Sequence, residues 1–167
     1  KGYDVTFMDA TEESAQLIAQ KLTEAKDYAE RSKVMVVDAG ANRLDLEDRS
    51  MDYILCMSVL SLLGTKKKIA QLIQEFHRIL KPGGKMIVDI NGPESDFSTK
   101  GIFIDDETFR YNLHGDVSQE LTCYCPKTPD TFGKLLDQYI IDDIGHVSFK
   151  YCDHDSFEFI ALVRKPE

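Results

Sequence analysis

Three nearly continuous apolar runs constrain the fold of this chain more than any other feature. They are "KVMVVDA" at residues 33–39, "MDYILCMSVL" at 51–60 and "KMIVDI" at 85–90. Strands buried on both faces of a parallel sheet have this continuous character, whereas half-exposed strands alternate. Residues 65–80 have helical spacing instead, with one apolar face made of Ile69, Leu72, Ile73, Phe76, Ile79 and Leu80. Strands that alternate with helices predict an α/β fold with a mostly parallel sheet and right-handed crossovers.

The flanking segments extend this pattern at both ends. Residues 3–8 (YDVTFM) predict a strand that ends near Asp9, and residues 11–29 predict a helix capped by Thr11. The "KPGG" segment is expected to stop the helix of residues 65–80, because proline cannot continue a helix and glycine tolerates the left-handed turn.

The pattern changes after Asn91. Alternating runs around "HGD" in residues 101–126 predict a short antiparallel excursion. A helix is predicted at 128–138, followed by two closing strands near 139–151 and 156–164. The chain has no internal repeat or linker, so its 167 residues predict a single domain over 1–167.

Composition excludes several classes of function. A net charge of −9 disfavours a nucleic-acid partner, since such proteins usually carry a basic footprint. No apolar run approaches the roughly 20 residues of a membrane span, so no membrane partner is expected. Four cysteines without a secretory signal favour a reducing, cytoplasmic location. Cys123, Cys125, Cys152 and His154 could in principle hold zinc, but their spacing is not that of the usual turn motifs, and no metal is predicted.

Three segments together resemble one family. They are "VVDAGANRL" (36–44), "RLDLEDRSMDYILCMSVLSLL" (43–63) and "EFHRILKPGGKMIVDI" (75–90). They resemble the third to fifth strands of class I S-adenosylmethionine-dependent methyltransferases, a Rossmann-like family, and "LKPGG" before the fifth strand is the most specific part. The resemblance implies S-adenosylmethionine as the cofactor, a small-molecule methyl acceptor, helices on both faces of the sheet and an antiparallel C-terminal hairpin.

The resemblance also implies residues on the nucleoside side of the cofactor. Asp9, with Ala10 beside it, corresponds to the acid that accepts the ribose hydroxyls, although an aspartate here could equally cap the following helix. Asp38 corresponds to the acceptor of the adenine amino group, and the amide of Ala39 to the donor for a ring nitrogen. An Asx turn is the alternative for Asp38.

Two further positions correspond to the methionine side of the cofactor. Cys56 and Met57 follow the fourth strand of the family, where contacts are made mostly through the backbone. Ordinary core sulfur residues are the alternative. A catalytic base is not assigned, because methyl transfer from a sulfonium needs one only when the acceptor carries a proton. Tyr111, His114, Tyr124 and Asp96 are candidates in the substrate-side insertion of residues 91–127.

One element of the family pattern is not found in this sequence. The glycine-rich turn lies about 20 residues before the ribose acid, so here it would precede Lys1. The family's first strand, which lies centrally in the sheet, would be missing with it. We therefore predict the C-terminal part of a longer methyltransferase, completed by an N-terminal remainder or a partner chain. The alternatives are a catalytically inactive interaction or regulatory module, or a different nucleotide-binding protein such as a dehydrogenase remnant.

Overall fold

The computed structural model describes residues 2–25, 29–37, 43–112 and 120–167, with Tyr151 through its backbone alone. The chain divides into two compact units, Lys1–Leu44 and Asp45–Glu167. The prediction of a single domain over residues 1–167 stays a prediction.

Among its described residues, the first unit contains a parallel strand pair and a helix of about three to four turns. Its elements are β1 (Val5–Asp9), α1 (Glu12–Glu24) and β2 (Ser32–Val36). β1 and β2 pair from Val5 opposite Ser32 to Asp9 opposite Val36. α1 ends at Glu24, inside the predicted helix of residues 11–29, because Ala25 leaves the helical conformation at φ −96° and ψ 64°. Residues 26–28 of that prediction lie outside the described residues, and Ala29 is helical.

The second unit contains two sheets. Its elements in chain order are β3 (Met51–Cys56), a 3₁₀ turn (Leu60–Leu63), α2 (Lys66–Ile79), β4 (Leu80–Asn91), α3 (Asp96–Thr99), β5 (Ile102–Asp105), β6 (Thr108–Asn112), β7 (Glu120–Tyr124), α4 (Pro129–Gly133), a second 3₁₀ turn (Lys134–Leu136), β8 (Ile140–Tyr151) and β9 (His154–Arg164). The larger sheet has the order β3-β4-β9-β8, with β3 and β4 parallel and the other pairs antiparallel. The closing hairpin and the antiparallel excursion β5-β6-β7 confirm the sequence predictions.

Helix α2 supplies the core of the second unit. Thr65 caps it by accepting a hydrogen bond from the Lys68 amide at 3.3 Å. Lys165 closes the other end, because its ammonium donates to the carbonyls of His77 and Leu80 at 2.6 and 2.9 Å. The predicted apolar face is buried apart from Leu72, which is half-buried. The helix packs on β4, and the fully buried apolar side chains of the two elements are Ile69, Ile73, Ile79, Leu80, Met86, Val88 and Ile90.

The "KPGG" segment stops the helix as predicted but also begins the strand. α2 ends at Ile79, and β4 starts at Leu80 instead of residue 85. Gly83 adopts φ 72°, a conformation that glycine favours. A Cβ on Gly84 would lie 2.8 Å from the Lys81 carbonyl oxygen. The glycines are therefore structural, and the strand begins early because Leu80, just before this segment, pairs with Met51 in β3.

The predicted helix of residues 128–138 is two short elements, α4 and the turn Lys134–Leu136. Thr128 caps α4 as predicted, since its hydroxyl accepts from the Thr131 amide at 3.1 Å. Among the described helices, none has the length and apolar character needed to cross a membrane.

Candidate functional site

Asp9 ends β1 and connects it to helix α1. Its Oδ1 accepts hydrogen bonds from the amide and the hydroxyl of Thr11, at 3.0 and 3.1 Å. Thr11 in turn caps α1 by accepting from the Ser14 amide at 3.2 Å. The hydrogen bond from the Thr11 amide lowers the pKa of Asp9, so this half-exposed carboxylate is ionised at neutral pH. Asp9 therefore supports the helix cap and also presents an anionic acceptor at the carboxyl end of a strand.

The other nucleoside-side positions are less fully described. Ala10 lies directly after β1 and is exposed. Asp38 and Ala39 follow β2 by two and three residues, outside the described residues, so their predicted adenine contacts stay a prediction.

Cys56 and Met57 end β3 with different exposures. Cys56 is 6% exposed, and burial, together with the nearby Asp89, raises the pKa of its thiol to about 12. The side chain is therefore a neutral core group. Met57 is 38% exposed beyond the end of the strand. Both open alternatives are thus represented: Cys56 packs in the core, while Met57 lies where a ligand could contact it.

Asp89 was not predicted as a site residue, yet it is the most unusual group at this edge of the second unit. It is 1% exposed and lies near the end of β4. Its Oδ1 accepts a hydrogen bond from the Ser58 amide at 2.7 Å. This bond holds the turn after β3, in which Ser58 has a φ of 59°. Its Oδ2 has no hydrogen-bond partner among the described residues. A carboxylate inside the apolar run "KMIVDI" was the available sequence signal.

A second buried acid accompanies Asp89. Glu158 in β9 is 8% exposed, pairs in register with Asn91 and accepts a hydrogen bond from the Ser156 hydroxyl at 3.1 Å. Burial raises the pKa of Asp89 to about 6, and repulsion from Glu158 adds to this while the Ser58 hydrogen bond opposes it. Asp89 therefore holds a proton more strongly than an isolated aspartate does.

The candidate bases occupy different environments. Tyr124 is fully buried and donates to Glu107 Oε2 at 3.0 Å, and burial raises its pKa. Tyr111 is 8% exposed, and its ring packs edge-on against Phe97 at 5.2 Å. Both tyrosines are packing groups in this structure. Asp96 lines a cavity of the second unit. His114 lies outside the described residues.

The four cysteines differ in burial, and their positions bear on the possible zinc site. Cys123 and Cys125 are buried, and burial raises their pKa values to about 11 and 12. Cys152 is exposed, and none of the four cysteines forms a disulfide. Within the described parts of the chain, no three histidine, cysteine or acidic side chains gather in a geometry that could hold a metal ion.

The donor set fits one half of the predicted cofactor. An ionised carboxylate at the carboxyl end of a parallel strand can accept two ribose hydroxyls, and Asp9 has that charge and place. At the end of β3, Met57 offers a half-exposed thioether and its backbone groups. Asp9 suits the ribose of a nucleoside, and its unit, with an acid at the carboxyl end of a parallel strand, has the character of nucleotide-binding proteins of the parallel α/β class.

Comparison with known proteins identifies the family. A model of the methyltransferase domain matches residues 1–88, just over half of the 167 residues. The chain therefore belongs to the methyltransferase-domain family, which confirms the predicted family and S-adenosylmethionine as its cofactor.

Individual proteins are similar to the chain in sequence or in fold. The uncharacterized protein YmfD of Escherichia coli K12 is 27% identical over 143 residues, which cover 84% of this chain and 59% of that protein. The chain thus spans less than two thirds of that relative. A methyltransferase from Methanosarcina mazei has the same fold with a TM-score of 0.77 at 19% identity, over 99% of this chain and 83% of that one. An N1-methyltransferase from Burkholderia thailandensis was solved with 1,6-didemethyltoxoflavin and S-adenosylhomocysteine. Its fold matches with a TM-score of 0.62 at 18% identity, over 99% of this chain and 63% of that one. These likenesses confirm the α/β fold class.

Proposed function

We propose that this chain is the C-terminal part of an enzyme that transfers a methyl group from S-adenosylmethionine to a small-molecule acceptor. The family match over residues 1–88 carries the proposal, because it includes Asp9, Asp38 and the end of β3. The acidic balance of −9 supports a small acceptor over nucleic acid. The cytoplasmic location stays a prediction.

The residues have distinct roles in this proposal. Asp9 accepts the ribose hydroxyls, and Ala10 lies beside it. Asp38 and the amide of Ala39 address the adenine, while the backbone at Cys56 and Met57 borders the methionine half. The cofactor, when bound, supplies a methyl group on a sulfonium. The protein needs mainly to position the acceptor and exclude water from it, because the leaving thioether is already a good one.

Two open strand edges support the further proposal that another segment completes the sheet. Among the described residues, β1 pairs with β2 alone and β3 pairs with β4 alone. Yet β3 has the composition of a central strand, and its Tyr53 and Leu55 are 65% and 72% exposed. Unpaired edges and exposed apolar side chains of this kind are usually covered in a native protein. We propose that an N-terminal remainder, or a partner chain, provides this cover.

Calorimetry with S-adenosylmethionine tests the proposal. The chain as printed and a version extended upstream by about 30 or more residues, the length of a βαβ unit, are titrated in parallel. We expect binding by the extended version, and Asp9→Asn should weaken it about tenfold, since a charge-assisted hydrogen bond is lost. Glu12→Gln is the matched charge control. Glu12 lies in the first turn of α1, three residues after Asp9, and its substitution should leave the affinity for S-adenosylmethionine unchanged.

Other results would favour other functions. No binding by the extended version would support an inactive interaction or regulatory module. Binding of a nicotinamide dinucleotide in place of S-adenosylmethionine would support a dehydrogenase remnant. Equal weakening by Asp9→Asn and Glu12→Gln would remove the ribose role of Asp9.

A further inference from the structure

A cavity of about 590 Å³ lies in the second unit, between the segment around α3 and the β8–β9 hairpin. It lies at the carboxyl edge of β4, because β9 runs antiparallel to β4 and the hairpin turn projects beyond Asn91. Open α/β sheets bind ligands at this edge. The volume is that of a small-molecule site.

Asp96 gives the cavity an unsatisfied hydrogen-bond acceptor. The residue is 5% exposed and lines the cavity. Its Oδ2 accepts the Lys100 ammonium at 2.7 Å and lies 3.2 Å from His154 Nδ1. Its Oδ1 is buried and has no hydrogen-bond partner among the described residues. A buried carboxylate oxygen without a partner is costly, so a ligand donor that meets it would be favoured.

The charges around the cavity indicate which donor fits. Burial raises the pKa of Asp96, but hydrogen bonds from Lys100, His154 and the backbone of Asp155 outweigh it and lower the pKa overall, so the group is ionised. Lys100 already balances that charge, and Lys150 lies 3.5 Å from Asp155. The cavity therefore needs no further cation, and the exposed Glu94 disfavours an anion. A neutral hydroxyl or N–H donor suits Oδ1.

Phe149 gives the cavity an aromatic ring that a ligand can reach, since it is 48% exposed. Phe157 is 8% exposed, packs edge-on against Phe159 and lies on the other face of the hairpin, because Phe149 pairs with Ser156 while Ser148 pairs with Phe157. A half-exposed phenyl ring that lines a cavity can stack on a planar ligand. The cavity thus combines an aromatic surface with one aimed acceptor.

We propose that this cavity binds the methyl acceptor, and that the acceptor is a small planar molecule whose neutral hydroxyl or N–H group donates to Asp96 Oδ1. This inference rests on the proposed function, because the ligand is a methyl acceptor only if the protein transfers methyl groups. Binding of the ligand to the cavity does not require the cofactor. Asp96 contacts the ligand and sets its orientation, and Phe149 stacks on it.

Phenol is the probe, and its methyl ether anisole is the matched ligand without a donor. Both are titrated into the whole chain without cofactor, and binding is followed by ¹⁵N–¹H shift changes. We expect the changes to centre on residues 94–100 and 148–157. Phenol should bind about tenfold more tightly than anisole, because only phenol donates to the buried carboxylate.

Asp96→Asn sharpens the test. Lys100 and His154 hold the amide oxygen of the variant, so its NH₂ group replaces Oδ1 and presents a donor in place of an acceptor. We expect the preference for phenol over anisole to fall to about unity. Glu94→Gln, an exposed carboxylate of the same cavity, should retain the preference. Phe149→Ala should weaken both ligands alike by several-fold. The dispersion of the amide spectrum shows that each variant is folded.

The outcomes separate this inference from the proposed function. Equal affinities for phenol and anisole in the wild type, or shift changes elsewhere, would overturn the acceptor cavity while leaving cofactor binding untouched. An equal loss of preference in Glu94→Gln and Asp96→Asn would overturn the role of Asp96. Absence of cofactor binding in the extended protein would overturn the proposed function, but the phenol preference would then still establish a donor-specific site.

Discussion

The two units differ in how much they bury. Among the described residues of Lys1–Leu44, only Ala15 and Leu44 are buried, and Leu17 and Val36 are 57% and 50% exposed. The unit Asp45–Glu167 has a core of helix α2 and its sheet, in which many side chains are fully buried. A two-stranded sheet with one helix is marginal by itself. The proposed ribose acid therefore lies on the less stable part, and the proposed acceptor cavity on the more stable one.

Core truncation should show the largest difference between the units. Ile73→Ala in α2 removes a fully buried side chain and should destabilise the second unit by about 2–5 kcal/mol. Leu17→Ala in α1 should stay within about 0.5 kcal/mol, because its side chain is largely exposed. Urea unfolding with amide exchange on each unit measures both. Similar losses for the two variants would contradict the contrast in burial.

Asp89 and Asp9, both near the ends of strands, should change the free energy of unfolding with pH in opposite directions. The folded pKa of Asp89 is raised above its unfolded value, so wild-type stability falls as pH rises from about 4 to 6. Asp89→Asn should therefore be more stable than the wild type at pH 7 by about 1–3 kcal/mol, and the difference should vanish below about pH 4. Unfolding in urea at the two pH values measures this.

Asp9 provides the control for that prediction. Its folded pKa is lowered, so its contribution is present at neutral pH and is lost as pH falls through the folded value. Asp9→Asn should thus be slightly less stable than the wild type at pH 7, the reverse of Asp89→Asn. A gain in stability from Asp9→Asn would show that Thr11 does not hold its carboxylate in solution.

Helix caps should have smaller and matched effects. Thr65→Ala should cost about 1 kcal/mol, because it removes the acceptor for the Lys68 amide. Thr11→Ala removes the same kind of bond from the Ser14 amide. We expect Thr65→Ala to lower the unfolding midpoint of its unit, and Thr11→Ala to speed amide exchange in α1. No change in either exchange pattern would count against the caps.

A surface ion pair should have the smallest effect. Lys21 and Glu24 lie 3.3 Å apart in α1 with side chains 68% and 57% exposed. Glu24→Gln should change stability by less than about 0.5 kcal/mol, since exposed pairs are screened by water and salt. A larger loss in urea unfolding would mean that the first unit depends on surface charge more than its burial indicates.

Sequence patterns predicted the elements well where one physical signal dominated. The helix of residues 65–80 is observed at 66–79, because a threonine cap, an apolar stripe and a proline all agree. The break in the predicted helix of residues 11–29 was missed, because propensity does not show that Ala25 leaves the helical conformation. The start of β4 was missed, because the pairing of Leu80 with Met51 is a tertiary contact.

The sites divide in the same way. Asp9 was found because it follows a strand and precedes a capped helix, which is a local pattern. Asp89 was missed because an acid inside an apolar run gives no indication of the buried Glu158 across the sheet. Asp96 was one of four equal candidates, and only the fold brings His154, 58 positions away, to its carboxylate.

The sequence by itself determined the order of strands and helices and the family, and it predicted Asp9 as the ribose acid, because these depend on periodicity, caps and short motifs along the chain. Tertiary structure alone decided which carboxylates are buried, which of their oxygens remain without a partner and where a cavity opens. Burial and hydrogen bonding arise from groups that are distant in sequence, so they follow from packing and cannot be inferred from any local pattern.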